Sequence, residues 1–267
     1  MPKQTRGFRV TEQDGVARVT LARPEVLDAL DRGMIADLRQ YFADLYYRRD
    51  IRVVVIDAEG RSFCAGLDLK EQAESPISAR VGGALDEQRA VRDIMVNMRR
   101  CPQPIISLVQ GSASGGGFAI ALASDIRLLT PDARMNAAFI RLGISGCDVG
   151  VSYFLPRMVG SSVAAEYLLT GRFISAERAR ELGLTSKVAS LEELRVEADS
   201  LVADMLRAAP LALRLTKEAL GLAIDAQSLE AVVALEDRNQ ILCIQDADFP
   251  EGVAAFLEKR EPRYTGE

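Results

Sequence analysis

IISLVQGSASGGGFAIALASDIRLL, residues 105–129, packs four structural signals into one short stretch. Ile105 to Val109 is a short apolar run of strand length, closed by Gln110 and Gly111. The consecutive glycines Gly115, Gly116 and Gly117 then mark a tight turn, and the small apolar residues after them suit a buried helix. A second strand is predicted at Ile126 to Leu129. From Pro104 to Ser124 no residue is charged, so the stretch is long enough to imitate a membrane span of about 20 residues. Gln110, four serines (Ser107, Ser112, Ser114, Ser124) and the three glycines argue instead for strand, turn and helix in a water-soluble protein.

The same order recurs upstream. Val16 to Leu21 alternates partly and predicts a strand, and Val53 to Ile56 is a continuous apolar run suited to a strand covered on both faces. Between them Ile35, Leu38, Phe42 and Leu45 recur at helical spacing. A further helix is predicted around Asp86 to Arg99, and Cys101-Pro102-Gln103-Pro104 separates it from the strand at Ile105, because each proline disfavours helix in the residue before it. Glu74 to Gly83 has few core candidates and two adjacent glycines, which predicts a mobile surface loop able to act as a lid. After about Val159 the pattern is helical: Ser161 to Thr170, Ser175 to Leu182, Leu191 to Arg207, Leu211 to Ile224, Ser228 to Cys243, and a late helix after Pro250. Alternating strands and helices define an α/β class. The expected organisation is a catalytic core over residues 1–200 and a helical C-terminal region over 201–267.

With 267 residues, 48% hydrophobic and 27% charged, the chain has the composition of a core-driven globular protein. A formal charge of −5 and a pI near 5.1 give no electrostatic reason to expect nucleic-acid binding. The chain has no histidine, so histidine triads, histidine metal ligands and a histidine general base are excluded before any motif is read. Cys64, Cys101, Cys147 and Cys243 are widely spaced and form no CxxC pair, so neither a metal cluster nor a disulfide framework is expected. The opening MPKQTRGFRV is too polar for an export signal. A reducing cytoplasm, without membrane attachment, is the expected location.

Two segments carry chemistry. In Ser62-Phe63-Cys64-Ala65-Gly66-Leu67-Asp68, beyond the Val53 strand, small Ala65 and Gly66 allow a ligand to approach the backbone. At a helix start, amides such as that of Leu67 have no intrahelical acceptor and can face a negative oxygen. The Gly115 to Gly117 turn repeats that logic. It has neither the Lys-Ser/Thr ending of a phosphate-binding loop nor the spacing of a dinucleotide fingerprint. Each turn alone also reads as ordinary strand-to-helix packing; the pair points to an oxyanion hole.

At this point the chain resembles the crotonase, or enoyl-CoA hydratase/isomerase, superfamily. Arg23-Pro24-Glu25-Val26-Leu27-Asp28-Ala29-Leu30 is similar to that family's RPxxxNAL element, and both glycine turns are similar to its oxyanion segments. Similarity continues through Leu169 to Ala176 and the ending Phe256-Leu257-Glu258-Lys259-Arg260. The resemblance implies a spiral of ββα units with a helical C-terminal region that drives assembly, as a homotrimer or a dimer of trimers. It implies an acyl-CoA substrate, of the kind met in fatty acid metabolism, whose thioester oxygen takes the N–H groups of Leu67 and Gly116. Coenzyme A is part of that substrate, and no separate cofactor or metal is implied. The backbone at Cys64 and Ala65 is expected near the adenine, with Arg23 and Lys259 near the phosphates. Lys259 is expected to act across subunits. Asp68 reads as a ligand contact or as a helix cap.

Hydratases of this family use two glutamates, and their places in this sequence hold Ala119 and Phe139, neither of which can transfer a proton. Asp148, in Gly146-Cys147-Asp148-Val149-Gly150, stands where the resemblance places the active-site aspartate of dienoyl-CoA isomerases and chlorobenzoyl-CoA dehalogenases. It reads as a proton carrier or nucleophile, and equally as a cap for the apolar helical run that follows. Cys147 has no histidine to activate it. The expected chemistry is double-bond isomerisation or hydration through an enolate. The alternatives are hydrolysis or dehalogenation through Asp148, and a CoA-binding scaffold without turnover.

Overall fold

A computed structural model describes residues 3, 4 and 7–266. The first strands are β1 (Lys3–Gln4), β2 (Phe8–Gln13) and β3 (Val16–Leu21), followed by helix α1 (Arg32–Leu45), strand β4 (Val53–Ala58) and helices α2 (Leu69–Glu74) and α3 (Val81–Arg100). Next come β5 (Ile105–Val109), β6 (Ser112–Ser114), α4 (Gly116–Ala123), β7 (Ile126–Leu129) and β8 (Arg134–Asn136). The remainder is α5 (Val151–Val159), α6 (Ser161–Thr170), β9 (Ile174–Ser175), α7 (Ala176–Glu181), β10 (Lys187–Val188), α8 (Leu191–Leu206), α9 (Pro210–Ala223), α10 (Leu229–Gln245) and α11 (Asp248–Glu258).

Seven strands form the main sheet in the order β1-β2-β3-β4-β5-β7-β10, parallel from β3 to β10, and β6-β8-β9 form a smaller sheet. Strand β5 is followed by short β6 and then α4; β4 is followed by the Cys64 to Ala113 bridge, which joins this segment to β6, and then α2. This is the expected strand, short strand, helix repeat. Its consequence is that the turns ending at Leu67 and Gly116 leave the main sheet on the same side and meet along the smaller one.

The apolar run of β4 is continuous because both faces of the sheet are covered. Val54 and Ile56 join Ile105, Val109 and Leu129 in the larger core with α1, α3 and α4. Val53 and Val55 join Ile106, Leu108 and Leu128 against Leu194, Ala198 and Val202 of α8. Helix α1 buries Ile35, Leu38, Phe42 and Leu45, with Asp31 capping its start by accepting from the Met34 N–H at 2.7 Å.

Two boundaries differ from expectation for physical reasons. The segment 74–83 is not all loop: Gly82 and Gly83 lie in the first turn of α3, and only 75–80 connects α2 to it. Helix α11 starts at Asp248, two residues before Pro250, which stays within the first turn where its missing N–H costs nothing. The uncharged stretch 104–124 breaks into β5, β6 and α4, and among the described residues no helix is long and apolar enough to cross a membrane.

Beyond α8 the chain attaches to the core by few buried groups. Lys217 is the one buried residue of α9, and its ammonium donates to the carbonyls of Met98 and Gln103 at 3.1 and 2.7 Å and pairs with Asp125 at 2.9 Å. Asp125 also takes Arg99 and the Ile105 N–H, so one cluster joins α9, the end of α3 and the start of β5. Replacing Lys217 with Met leaves the Met98 and Gln103 carbonyls only the weak Cys101 thiol as a donor and removes one of the partners of Asp125. We expect Lys217→Met to cost about 2 kcal/mol of stability in chemical denaturation, with faster proteolysis between α8 and α9.

Candidate active site

The two glycine turns touch backbone to backbone. A Cβ on Gly66 would lie 2.8 Å from the Ser114 carbonyl oxygen and 3.3 Å from the Gly116 nitrogen, and one on Gly117 would lie 2.2 Å from the Cys64 carbonyl oxygen. Gly66 also has φ +94°, a region that other residues rarely enter. Gly66 is required by both space and dihedral, and Gly117 by space.

The orientation of the Leu67 amide follows from strand pairing. Leu30 forms a parallel bridge with Leu67: the Leu30 N–H donates to Gly66 O at 2.7 Å, and the Asp68 N–H donates to Leu30 O at 2.9 Å. Those bonds use the groups on either side of Leu67, so its own N–H points away from residue 30 and has no acceptor among the described residues. Gly116 begins α4, whose N-cap Gly115 offers no side chain, and its N–H likewise has no acceptor. All of α4 is buried, so this uncapped end faces the protein interior beside Gly66. Two free N–H groups, one at a helix N-terminus, form a site for a developing negative oxygen.

Residues 27–30 act as a template for the first turn, with Ala65 N–H donating to Leu27 O at 2.9 Å. Within this template Asp28 is fully buried, with φ +54°. One carboxylate oxygen accepts the Arg23 N–H at 2.6 Å and the other has no partner among the described residues. Burial pushes its pKa up to about 6, aided by Glu25 and opposed by the Arg23 N–H and guanidinium.

Arg23 and Asp68 lie together at this turn but are engaged with each other, at 2.9 Å. Arg23 also donates to the Ala29 carbonyl, and Asp68 caps α2 by accepting from the Lys70 and Glu71 N–H groups. Burial opposes ionisation of Asp68, and the Glu71 N–H with Arg23 outweighs it, holding the carboxyl below its ordinary value. Of the two readings of Asp68, the cap is realised in the fold. Cys64 is buried, and its backbone N–H and C=O are taken by Ser112 and Ser114. Burial pushes its thiol up to about 12, with Asp28 adding to the shift, so it is no thiolate nucleophile. Ala65 is half-buried beside it. Lys259 stands elsewhere, exposed at the C-terminal end of α11, with no bond joining it to either turn.

Asp148 is half-buried in the loop before α5. The cap of α5 is Gly150, without a side-chain bond, so Asp148 does not serve as the N-cap. Its Oδ1 accepts from the Val149 N–H at 2.8 Å and from Gln88 of α3. Burial raises its pKa against both hydrogen bonds. Ala119 and Phe139 are buried and apolar, and the Phe139 ring packs 3.3 Å from where a Cβ of Gly115 would lie. The sequence reading did not single out Gln88 or Asp28. Asp28 carried a signal, an acid at the Asn position of RPxxxNAL; Gln88 carried none, being one polar residue among many on α3.

The Enoyl-CoA hydratase/isomerase family profile matches residues 11–267. "Probable enoyl-CoA hydratase EchA12" of Mycobacterium tuberculosis is 37% identical over 254 residues, covering 94% of this chain and 89% of that one. The 1,2-epoxyphenylacetyl-CoA isomerase of Escherichia coli is 33% identical over 254 residues, covering 95% and 96%. The crystal structure of an enoyl-CoA hydratase from Bacillus anthracis superposes with a TM-score of 0.91 at 30% identity, covering 98% and 100%. The chain belongs to the enoyl-CoA hydratase/isomerase family and has the crotonase fold. It is an enzyme of the hydratase/isomerase type.

Gly66→Ala forces a methyl group against the Ser114 carbonyl and displaces the Leu67 amide. We expect kcat to fall roughly 10²-fold, the scale of one lost oxyanion donor, measured beside circular dichroism to confirm folding. Asp28 has a folded-state pKa above its unfolded value, so its protonated form favours the fold. Its contribution is most favourable below about pH 4, declines as pH rises toward about 6 and is flat above. Asn cannot ionise, so Asp28→Asn is expected to raise stability at pH 7.5 by about 2–3 kcal/mol and to have little effect at pH 4. Urea unfolding at both pH values measures this.

Proposed function

We propose that this enzyme moves a carbon–carbon double bond in an acyl-CoA thioester, with Asp148 carrying the proton and the Leu67 and Gly116 N–H groups holding the enolate oxygen. The observation that carries this reading is the pair of unpaired N–H groups across the Gly66 to Gly116 contact, with Asp148 in place of a glutamate pair. Polarising the thioester carbonyl acidifies the adjacent C–H. One carboxylate can remove that proton and return it to a distal carbon, with no water added. Hydration asks more, because a water must be activated on one carbon while a proton reaches the next. Ala119 and Phe139 supply neither function. The isomerase named among the relatives favours the same choice.

Coenzyme A is bound as part of the substrate, and proton transfer needs no electron carrier or metal. In this reading Ala65 and Cys64 border the adenine, while the Arg23–Asp68 pair braces the turn and stands near the phosphates. The assembly is a homotrimer or a dimer of trimers built on residues 201–267, in the cytoplasm, and Lys259 reaches a neighbour's coenzyme. Helix α10 supports the assembly. It has no buried residue, yet it presents Leu229, Ile241, Leu242 and Ile244 to solvent in the single chain.

The deciding experiment incubates enoyl-, dienoyl- and aryl-CoA thioesters with wild type and Asp148→Asn, followed by mass spectrometry. An unchanged mass with a moved double bond is expected for wild type, and a loss of at least roughly 10²-fold in kcat for Asp148→Asn with binding retained. A gain of water or release of CoA overturns isomerisation, and binding without turnover across the panel leaves a scaffold.

A further inference from the structure

We propose that Gln88 is the positioning residue of Asp148, holding carboxylate Oδ1 from α3 so that Oδ2 is the oxygen that exchanges the substrate proton. The proposal rests on the reading of Asp148 as the proton carrier. Both hydrogen bonds to the carboxylate, from Gln88 Nε2 and from the Val149 N–H, go to Oδ1, and Oδ2 accepts none among the described residues. Neither bond serves helix α5, whose N-cap is Gly150.

The local backbone supports the same division. Val149 has φ +39°, a costly conformation for a β-branched side chain, and it belongs to the residue whose N–H reaches back to Oδ1. On the other side, the turn bearing Gln88 is fixed by its neighbour Glu87. That carboxylate accepts the Ser78 N–H at 3.0 Å and pairs with Arg32 at 3.0 Å. Arg32 donates its backbone N–H to Glu71 of α2 and its guanidinium to the Ser75 carbonyl. The helix that follows the first oxyanion turn and the helix that carries Gln88 are therefore tied to one arginine.

Charged neighbours on these elements are paired elsewhere: Glu87 with Arg32, Arg89 with Asp86, Arg92 with Asp93, and on α5 Arg157 with Asp225. The neutral amide of Gln88 is the side chain that bonds the carboxylate, and donation to Oδ1 favours the ionised form needed to accept a proton. Loss of that donor raises the pH at which Asp148 ionises, and a carboxylate in its place raises it further.

The test labels Asp148 in the full chain with a water-soluble carbodiimide and glycinamide across pH 4 to 8, reading the Asp148 peptide by mass spectrometry. Only the protonated carboxyl reacts, so the curve gives its midpoint without substrate. Gln88→Leu is expected to move that midpoint upward by roughly half to one pH unit. The acidic limb of kcat, measured on the panel thioester that wild type converts, should follow, with KM nearly unchanged. Gln88→Glu gives a second variant, expected to shift the midpoint at least as far. Midpoints unchanged from wild type in both variants, with Asp148→Asn inactive, overturn the positioning role alone. Full turnover by Asp148→Asn overturns the proton-carrier reading and the proposal with it.

Discussion

The contact between two glycine turns is the constraint on which the site depends. A carbonyl of one turn occupies the space that a side chain on Gly117 would need, and the Gly116 nitrogen lies just beyond the missing side chain of Gly66. A methyl group at either position would force the turns apart, and two N–H groups moved apart cannot share one oxygen as closely. The large sheet, the small sheet and the Leu30 bridge all act to hold this one separation. The parallel strands β4 and β5 deliver the turns side by side, and the Cys64 to Ala113 bridge sets their register.

Charge around this contact is arranged so that few ionised groups approach the oxyanion position without a partner. Arg23 and Asp68 neutralise each other at the first turn. Asp28, buried behind it, has its carboxyl pushed up to about 6 by its own desolvation. Phe139 closes the second turn with an apolar ring.

Much of the fold was legible in the sequence because its strands follow strict physical patterns. The runs Val16–Leu21, Ile105–Val109 and Ile126–Leu129 coincide with strands, and Ser161–Thr170 with a helix, since period and turn residues agree there. Short strands such as Arg134–Asn136 and Ile174–Ser175 were not legible, because two or three residues carry no period. The glycines at 82 and 83 read as a loop, yet the rest of α3 is long enough to carry them at its exposed end. In the site, the turns were visible through their glycines. The pairing of Gln88 with Asp148 and of Asp68 with Arg23 was not, because these residues are far apart in the chain and meet only through the tertiary fold.

The free N–H groups at Leu67 and Gly116 belong to the main chain, so no substitution of the residue 67 side chain other than proline can delete the first of them. Leucine there can be exchanged for a larger or smaller residue, reshaping the space beside the turn while the N–H stays in place. Two properties are therefore separable in this chain: the free N–H groups are set by the glycines and the fold, and the side chains around them can vary without removing those groups.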